Sequence, residues 1–474
     1  MPLLIVVTIV AMVDSATFGY DSLMMSGLIA VPQFTDYFTL TPAMIGLFNA
    51  SGWMGSIIAC TFIQQLSDHL GRRKTIFISA VICLVGVVLQ TAAQSMAMFV
   101  VARIILGLGG QICGAAAPLL VAEIAPKKMR GFLVGCYFSF FNAGALLASG
   151  VTFGSVRINS TWAWRLPSLI QGFPSVLSIL TLALVPESPR WLASRGQIDY
   201  ASEVLQVANN CGSDGVKDLL LEVEETIRIE LLEDKNSWKL LLSTKPMLRR
   251  VFIVITLAIA LELGGSSVGS YYLTIILRQA GVTDTTRLLQ INVISSAYNF
   301  VISIIGSYLF DTIGRKRQAL ISLTGMVICF YILAGFVKTF GNSTNKSGQY
   351  ATVFWMFLFN GFYNFCFTPL NCLYSTEIFP FKVRAAGATM FKFWNCGFGL
   401  LAAFILPIAM TNTGWKYYII NASYDLVLFP IIIFIWVETK NKSLEEIAKS
   451  FGDDVGITIN DGMVVETVDV VQKV

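Results

Sequence analysis

Charge is scarce along this chain. Asp, Glu, Lys and Arg supply 13% of its 474 residues while 55% are hydrophobic, and the mean hydropathy is +0.69. A soluble protein carries about 25% charged residues, so this composition excludes a soluble globular protein and leaves a polytopic membrane protein. Histidine is nearly absent. His69 is the only one; it sits in a loop as a solvated surface group, and no Cys, His or carboxylate cluster is spaced for a metal. No Gly-x-x-x-x-Gly-Lys-Ser/Thr phosphate loop occurs. Nothing therefore points to an enzyme, a cofactor or a metal. No Cys-x-x-Cys occurs, and of the nine cysteines only Cys211 lies outside an apolar run, so they read as small core residues rather than a disulfide framework. The net charge of +4 is modest and sits mostly in loops, which speaks of topology and not of nucleic acid.

What the chain has instead is long apolar runs of about 20 residues each, the length a helix needs to cross a ~30 Å hydrocarbon core. Barrel strands, ~10 residues long and alternating, are excluded. The runs lie at 3–30, 43–66, 75–94, 98–122, 132–154 and 164–186, then at 248–277, 288–310, 318–338, 350–373, 386–409 and 415–437. Between the two sets lies a hydrophilic insertion, 187–247, with Leu220, Val223, Ile227 and Leu231 at helical spacing, which predicts short amphipathic helices. The first run lacks a basic leader and contains a carboxylate, Asp21, so it reads as a full span and not as a cleaved signal. The absence of a basic tail before it suggests a shortened start.

One segment occurs twice. Asp68-His69-Leu70-Gly71-Arg72-Arg73-Lys74 follows the second run, and Asp311-Thr312-Ile313-Gly314-Arg315-Lys316-Arg317 follows the eighth. In each, glycine permits a sharp bend and a basic cluster holds the turn at the membrane surface. A duplicated turn at the same ordinal place marks a six-helix unit written twice. The expected organisation is an N-terminal bundle (1–186), a helical linker (187–247), a C-terminal bundle (248–440) and a tail (441–474). Basic residues in Arg72–Lys74, Lys127, Lys128, Arg130, the insertion, Arg315–Arg317, Lys382 and Arg384 share one side, predicted cytoplasmic together with both termini. Acceptor sequences at Asn159, Asn342 and Asn345 fall in the opposite loops, as glycosylation in the secretory pathway requires.

Seven motifs in order now identify a family. They are Asp68-x-x-Gly-Arg-Arg-Lys74, Glu123-Ile-Ala-Pro126 with Arg130-Gly131, Trp164-Arg165-x-Pro167, Pro186-Glu-Ser-Pro-Arg-Trp-Leu192, Asp311-x-x-Gly-Arg315, Glu377-Ile-Phe-Pro380 with Arg384, and Glu438-Thr-Lys440. Together they resemble the sugar porters of the major facilitator superfamily, most of all the fungal hexose and lactose-permease-type members, over nearly the whole chain. The resemblance implies an all-α fold of twelve transmembrane helices in two six-helix bundles, in a plasma membrane, expected as a monomer. It also implies a cytoplasmic gate that includes Asp68, Arg72 and Asp311 and in which Glu123, Arg130, Glu187 and Arg190 of the first half face Glu377, Arg384 and Arg315 of the second; anchoring loops at the membrane surface is the alternative. Such carboxylate–arginine pairs form in one orientation of the bundles and part in the other.

Asp21 and Arg103 are intramembrane charges, which by default mark a pathway or a pair. The resemblance gives them a role in proton coupling: the carboxylate is ionised while paired and protonated when the pair opens. A static buried pair is the alternative, and Gln171 stands where bacterial symporters of the family carry a carboxylate. For the solute the resemblance points to Asn299, Asn395 and Phe367. Asn142, Asn292, Asn360, Asn364 and Asn371 are further amides, Asn364 among the solute candidates, for which helix–helix hydrogen bonding competes.

The seventh span departs from the family's Gln-Gln-x-x-Gly-x-Asn signature. It reads Leu261-Glu262-Leu263-Gly264-Gly265-Ser266-Ser267, and the family's fifth-span Gln aligns with Phe138. A carboxylate at Glu262 can bind hydroxyls, carry a proton or attract a cation; it can also simply pair with Arg103 or Lys392 inside the bundle. With Ser267 and Phe138 it is expected on the solute wall. The sequence predicts a secondary transporter of a sugar or related polyhydroxylated solute, proton-coupled, by alternating access. A transporter-like nutrient sensor, or a facilitator of a non-hexose solute, is the alternative.

Overall fold

The computed structural model describes residues 2–209, 213–232, 237–270, 277–278, 284–340, 345–380, 383–440, 442 and 444–452. Helices account for its regular structure, with no strand among the described residues. The first half contains α1 (Pro2–Leu28), α2 (Pro42–Cys60), α3 (Arg72–Thr91), α4 (Met96–Ile124) and α5 (Lys127–Ser155), with α6 (Trp162–Ile170) and α7 (Gly172–Leu182) forming its sixth span. The second contains α8 (Lys245–Glu262) with α9 (Ser266–Ser270), then α10 (Thr285–Ile313), α11 (Arg315–Phe340), α12 (Lys346–Ile378), α13 (Arg384–Thr413) and α14 (Lys416–Phe434). Ten spans among the described residues are long and apolar enough to cross a bilayer; α6–α7 and α12 complete the set. Local chemistry sets several starts. Thr41, Ser95 and Thr244 stand extended before their helices, and each accepts a hydrogen bond from the N–H three residues on, which satisfies a donor that the helix cannot.

Three spans that the apolar runs draw as continuous are broken. The second turns at Thr61–Phe62 before a further helix, Ile63–Leu70. The sixth breaks at Gln171, because Pro174 has no N–H for the carbonyl four residues back. The seventh breaks at Leu263–Gly265, where Gly265 takes φ +96° and a Cβ would lie 2.5 Å from the Phe330 ring. A break changes hydrogen bonding and leaves hydropathy untouched, so runs alone cannot reveal it.

Each half has its own apolar core. One cluster runs from Leu241 to Phe451 within the second half. In the first, the rings of Phe34, Phe48, Phe99 and Trp164 pack together, with a separate cluster around Leu120 and Val121. The seam between the halves mixes polar and apolar contacts: Ser139 meets Ser307 at 3.0 Å, Ser149 meets Ser296 at 2.9 Å and Asn142 donates to Asn364 at 3.0 Å, while Phe140 packs on Phe300 and Ile45 on the second half's core. Helices joined by small hydroxyls and amides can part at less cost than helices joined by a shared apolar core.

The duplicated turns repeat in three dimensions. Gly71 (φ +88°) and Gly314 (φ +100°) start α3 and α11. Glu187 accepts from the N–H groups of Arg72 and Arg73 at 2.8 and 3.1 Å, and Glu438 from those of Arg315 and Lys316 at 2.9 and 3.1 Å. A carboxylate at a helix N-terminus satisfies orphan donors and complements the dipole. Arg72 then reaches Glu123 at 3.1 Å and Arg315 reaches Glu377 at 2.9 Å. Ser188 and Thr439 cap the same two glutamates through their hydroxyls.

In this structure the described ion pairs Arg72–Glu123 and Arg315–Glu377 each lie within one half. Asp68, at the end of the preceding helix, holds Arg72 of α3 at 3.4 Å. Arg190 lies in the short helix Pro189–Ser194; the side chains of Arg130, Asp311 and Arg384 lie outside the described residues.

The insertion folds as Pro189–Ser194, Ile198–Asn209, Ser213–Leu232 and Ser237–Leu240, with Leu220 packed on Leu192, Ala201 and Val204. The tail begins with another helix, Leu444–Phe451, whose Phe451 ring lies 4.2 Å beneath the Arg250 guanidinium. Asn159 and Asn345 are exposed, the latter capping α12; Asn342 lies outside the described residues.

Candidate functional site

Two polar constellations sit at mid-span. In the first half, Arg103 on α4 donates to Asp21 on α1 at 2.5 Å and to the Asp21 carbonyl at 3.2 Å. Gln171, in the break between α6 and α7, donates to the same carboxylate oxygen at 2.6 Å, and Gln90 on α3 donates to Gln171 at 3.3 Å. Asp21 is 8% exposed and Arg103 2%. Four spans thus converge on one carboxylate. The resulting group can hold a charge within the membrane only while it stays paired.

A central cavity of about 120 Å³ lies between the halves. Phe18 and Ser22 of α1, Trp53 of α2, Gln111 of α4, and Phe138, Phe141 and Asn142 of α5 wall it on one side. Glu262, Ser267, Asn299, Asn364, Lys392 and Asn395 face them from the other half. Ser22 adjoins Asp21 in sequence, so the ion pair lies one residue behind the cavity wall.

Polar groups of the second half form a directed chain. Lys392 donates to Asn371 at 3.2 Å, Asn371 donates to Asn395 at 3.5 Å, and Asn395 donates to Glu262. The Lys392 ammonium also lies 5.1 Å from the centroid of Phe138, a cation–π contact across the seam. The alternative of Glu262 in direct contact with Arg103 or Lys392 is not the arrangement the described residues adopt. Arg103 is committed to Asp21, and Lys392 reaches Glu262 only through two amides, which sit between them in space.

Asn142 donates to Asn364, which accepts from Thr368 and donates to the Asn360 carbonyl, and the Asn360 amide donates to Ser295, so they serve helix packing as well as the wall. Asn299 Oδ1, Ser267 Oγ and Trp53 Nε1 are different. Each is buried, and none has a partner among the described residues. Together they offer an acceptor, a hydroxyl and a donor, and unsatisfied polar atoms at a cavity wall are where a solute's hydroxyls would be received. The aromatic faces of Phe18, Phe141 and Tyr363 line the same space.

Of the expected solute residues, the structure brings Glu262, Ser267, Asn299, Asn364, Asn395 and Phe138 to this cavity. Phe367 is a correction. It is fully buried in the second half's core and stacked on Tyr363 at 5.8 Å; a ring so enclosed cannot meet a solute, and its neighbour Tyr363 lines the cavity instead.

Sequence reasoning missed Trp53 and Gln111. The signal was present, since each is a lone large or polar residue among glycines and small residues of an apolar span. It also passed over Asp14 and Asp425, buried carboxylates within spans whose Asp14 Oδ2 and both Asp425 oxygens lack partners among the described residues. The rule that flagged Asp21 would have flagged both.

The sequence profile of the family described as "Sugar (and other) transporter" matches residues 7–451. The chain is 28% identical over 448 residues to the MFS-type transporter criB of Aspergillus cristatus, covering 94% of this chain and 92% of that protein. It is 28% identical over 471 residues to the high-affinity glucose transporter of Kluyveromyces lactis, covering 95% and 85%. To the probable polyol transporter 4 of Arabidopsis thaliana it is 29% identical over 453 residues, covering 93% and 84%. Among solved structures it resembles the xylose transporter XylE from E. coli in a partially occluded inward open conformation, with TM-score 0.79, 22% identity, and coverage of 94% of this chain and 100% of that one. The proton:xylose symporter XylE bound to 6-bromo-6-deoxy-D-glucose gives TM-score 0.80 at 22% identity, covering 95% and 99%. These likenesses establish the major facilitator fold.

Proposed function

The chain belongs to the sugar (and other) transporter family, and from that premise we propose that it carries a polyhydroxylated small solute across the membrane by alternating access, coupled to a proton. One observation supports the solute class above the others: a cavity shared by both halves keeps Asn299 Oδ1, Ser267 Oγ and Trp53 Nε1 buried and unpartnered beside three aromatic faces. Hydroxyls would satisfy the first set, and the C–H face of a ring would lie on the second.

Movement would come from the two separately packed halves rocking across their seam, with the Glu187 and Glu438 turns keeping each half rigid. The proton would be taken by Asp21 when Arg103 and Gln171 withdraw, and released when they return. The basic turns would face the cytoplasm together with both termini, in the plasma membrane, with Asn159, Asn342 and Asn345 outside and open to glycosylation. The chain would act as a monomer, with the bilayer as its solvent.

The test is uptake of a labelled panel of sugars and polyols in transporter-deficient cells, with and without a proton gradient. Gradient-dependent accumulation is expected. Uptake that only equilibrates would make the protein a facilitator, specific binding without flux would make it a sensor, and neither binding nor flux for any polyol would overturn the reading.

A further inference from the structure

Glu262 and Ser267 line two cavities. The second, of about 350 Å³, lies between the break of the seventh span, α13 and α14. Glu262 and Ser267 are the residues common to both walls, so they form the partition.

The side cavity exists because α8 stops at Glu262. Beyond that residue the chain leaves helical geometry for Leu263–Gly265, and its carbonyls are taken up by side chains: Leu261 O accepts from Ser266 and Tyr363, and Leu263 O from Asn421. The space vacated is walled chiefly by Leu401, Ile405, Leu406 and Ala409 of α13 and by Ile420 of α14. On its outer rim Leu401, Ile405 and Ile420 are about half exposed on the bundle surface (45%, 50% and 52%). An apolar chamber backing onto a polar one, with a carboxylate and a hydroxyl between them, is an unsuitable place for a solute that is polar all round. It suits one with two chemistries.

We propose that the solute is amphipathic: a hydroxylated part occupies the central cavity at Asn299, Asn395 and Glu262, and an apolar substituent passes the Glu262–Ser267 partition into the side cavity. This rests on the transport reading above and narrows it to glycoside-like molecules that carry an alkyl or other apolar group. The occupant is argued from the wall the two cavities share, since Glu262 and Ser267 face both the polar chamber and the apolar one. A bilayer acyl chain entering at the rim is the competing occupant, and the experiment separates the two.

The full chain in nanodiscs of a single phosphatidylcholine is titrated with labelled methyl, butyl, hexyl and octyl β-D-glucosides below their micellar concentrations. Affinity is expected to rise roughly threefold with each methylene added beyond butyl, near what burial of a methylene yields. Ala409→Phe, which fills the chamber, flattens that gradient while methyl glucoside binding stays within twofold. Ile405→Trp at the rim does the same should Ala409→Phe fail to fold.

A flat gradient in the unaltered protein with methyl glucoside still bound overturns this inference and leaves the transport reading standing. So does a gradient unchanged in both filled variants. A phospholipid that co-purifies with the unaltered protein, is lost from the filled variants and accompanies a flat gradient assigns the chamber to lipid. No binding of any glucoside, with no uptake of any polyol, brings down both readings.

Discussion

Lys392 and Glu262 face the same cavity and never touch: Asn371 and Asn395 stand between them, each donating onward, so that an ammonium and a carboxylate are joined through two amides. Opposite charges in direct contact screen each other from a ligand. Held apart, they leave a chain of amides along the cavity wall, one link of which a hydroxylated solute would replace under the proposed function. Glu262→Gln keeps the shape and removes the charge, and it is expected to change the order of preference among solutes or the pH dependence of uptake. Uptake kinetics identical across the whole panel would dismiss Glu262 from the site.

Asn395→Ala removes the donor to a buried carboxylate. Its loss should free the Glu262 carboxyl at the cavity wall and weaken solute binding, measured as a rise in KM for uptake. Asn299→Ala should weaken binding without lowering thermal stability, since Oδ1 has no partner among the described residues to lose. Phe367→Ala is expected to act in the reverse way, costing about 3–5 kcal/mol of stability through a core cavity while any protein that folds keeps its solute order.

The Asp21–Arg103 pair yields an asymmetric expectation. Arg103→Ala leaves a carboxylate unpaired at 8% exposure, and breaking such a pair costs about 3–5 kcal/mol, seen as a fall in melting temperature. Asp21→Asn combined with Arg103→Gln should recover most of that loss, because neither charge remains. Asp21→Asn alone should retain solute exchange and lose gradient-driven accumulation; pH-dependent accumulation left intact would refute the coupling role.

Gly71 and Gly314 should answer alike. A Cβ at Gly71 would lie 2.4 Å from Glu187 Oε2, and one at Gly314 2.7 Å from Glu438 Oε2, and both residues have left-handed φ. Alanine at either is therefore expected to destabilise by roughly 1–3 kcal/mol, by similar amounts, in thermal unfolding of the purified protein. A large effect at one and none at the other would show that the two turns do not share a role.

Asn159→Gln and Asn345→Gln should each remove a glycosidase-sensitive increment of apparent mass on electrophoresis from protein expressed in a eukaryotic host. A mobility indifferent to glycosidase would mean these exposed sites are unused, and would take away one support for the proposed orientation.

Some of this could be read along the chain. Length and apolarity of the runs fix the number of spans, because in lipid each backbone polar group must be satisfied within its own helix. The doubled Gly-Arg turns announce the internal repeat, and the motif order announces the family. Glu187 and Glu438 were legible as motif residues, yet their task of holding the N–H groups of a distant helix start was not. Nothing in Pro186-Glu-Ser-Pro or Glu438-Thr-Lys says which helix end lies within 3 Å.

The tertiary structure alone decided which polar residues look inward and at what. Asn142, Asn299 and Asn364 are the same residue type in similar apolar surroundings. Packing gave the first and last to each other and left the middle one open to the cavity. Phe367 and Tyr363 lie one helical turn apart, and a rotation of some tens of degrees about α12 put the tyrosine at the wall and the phenylalanine in the core. Hydropathy is a sum along the chain and records what must leave water; the direction in which each side chain then points is set by neighbours hundreds of residues away.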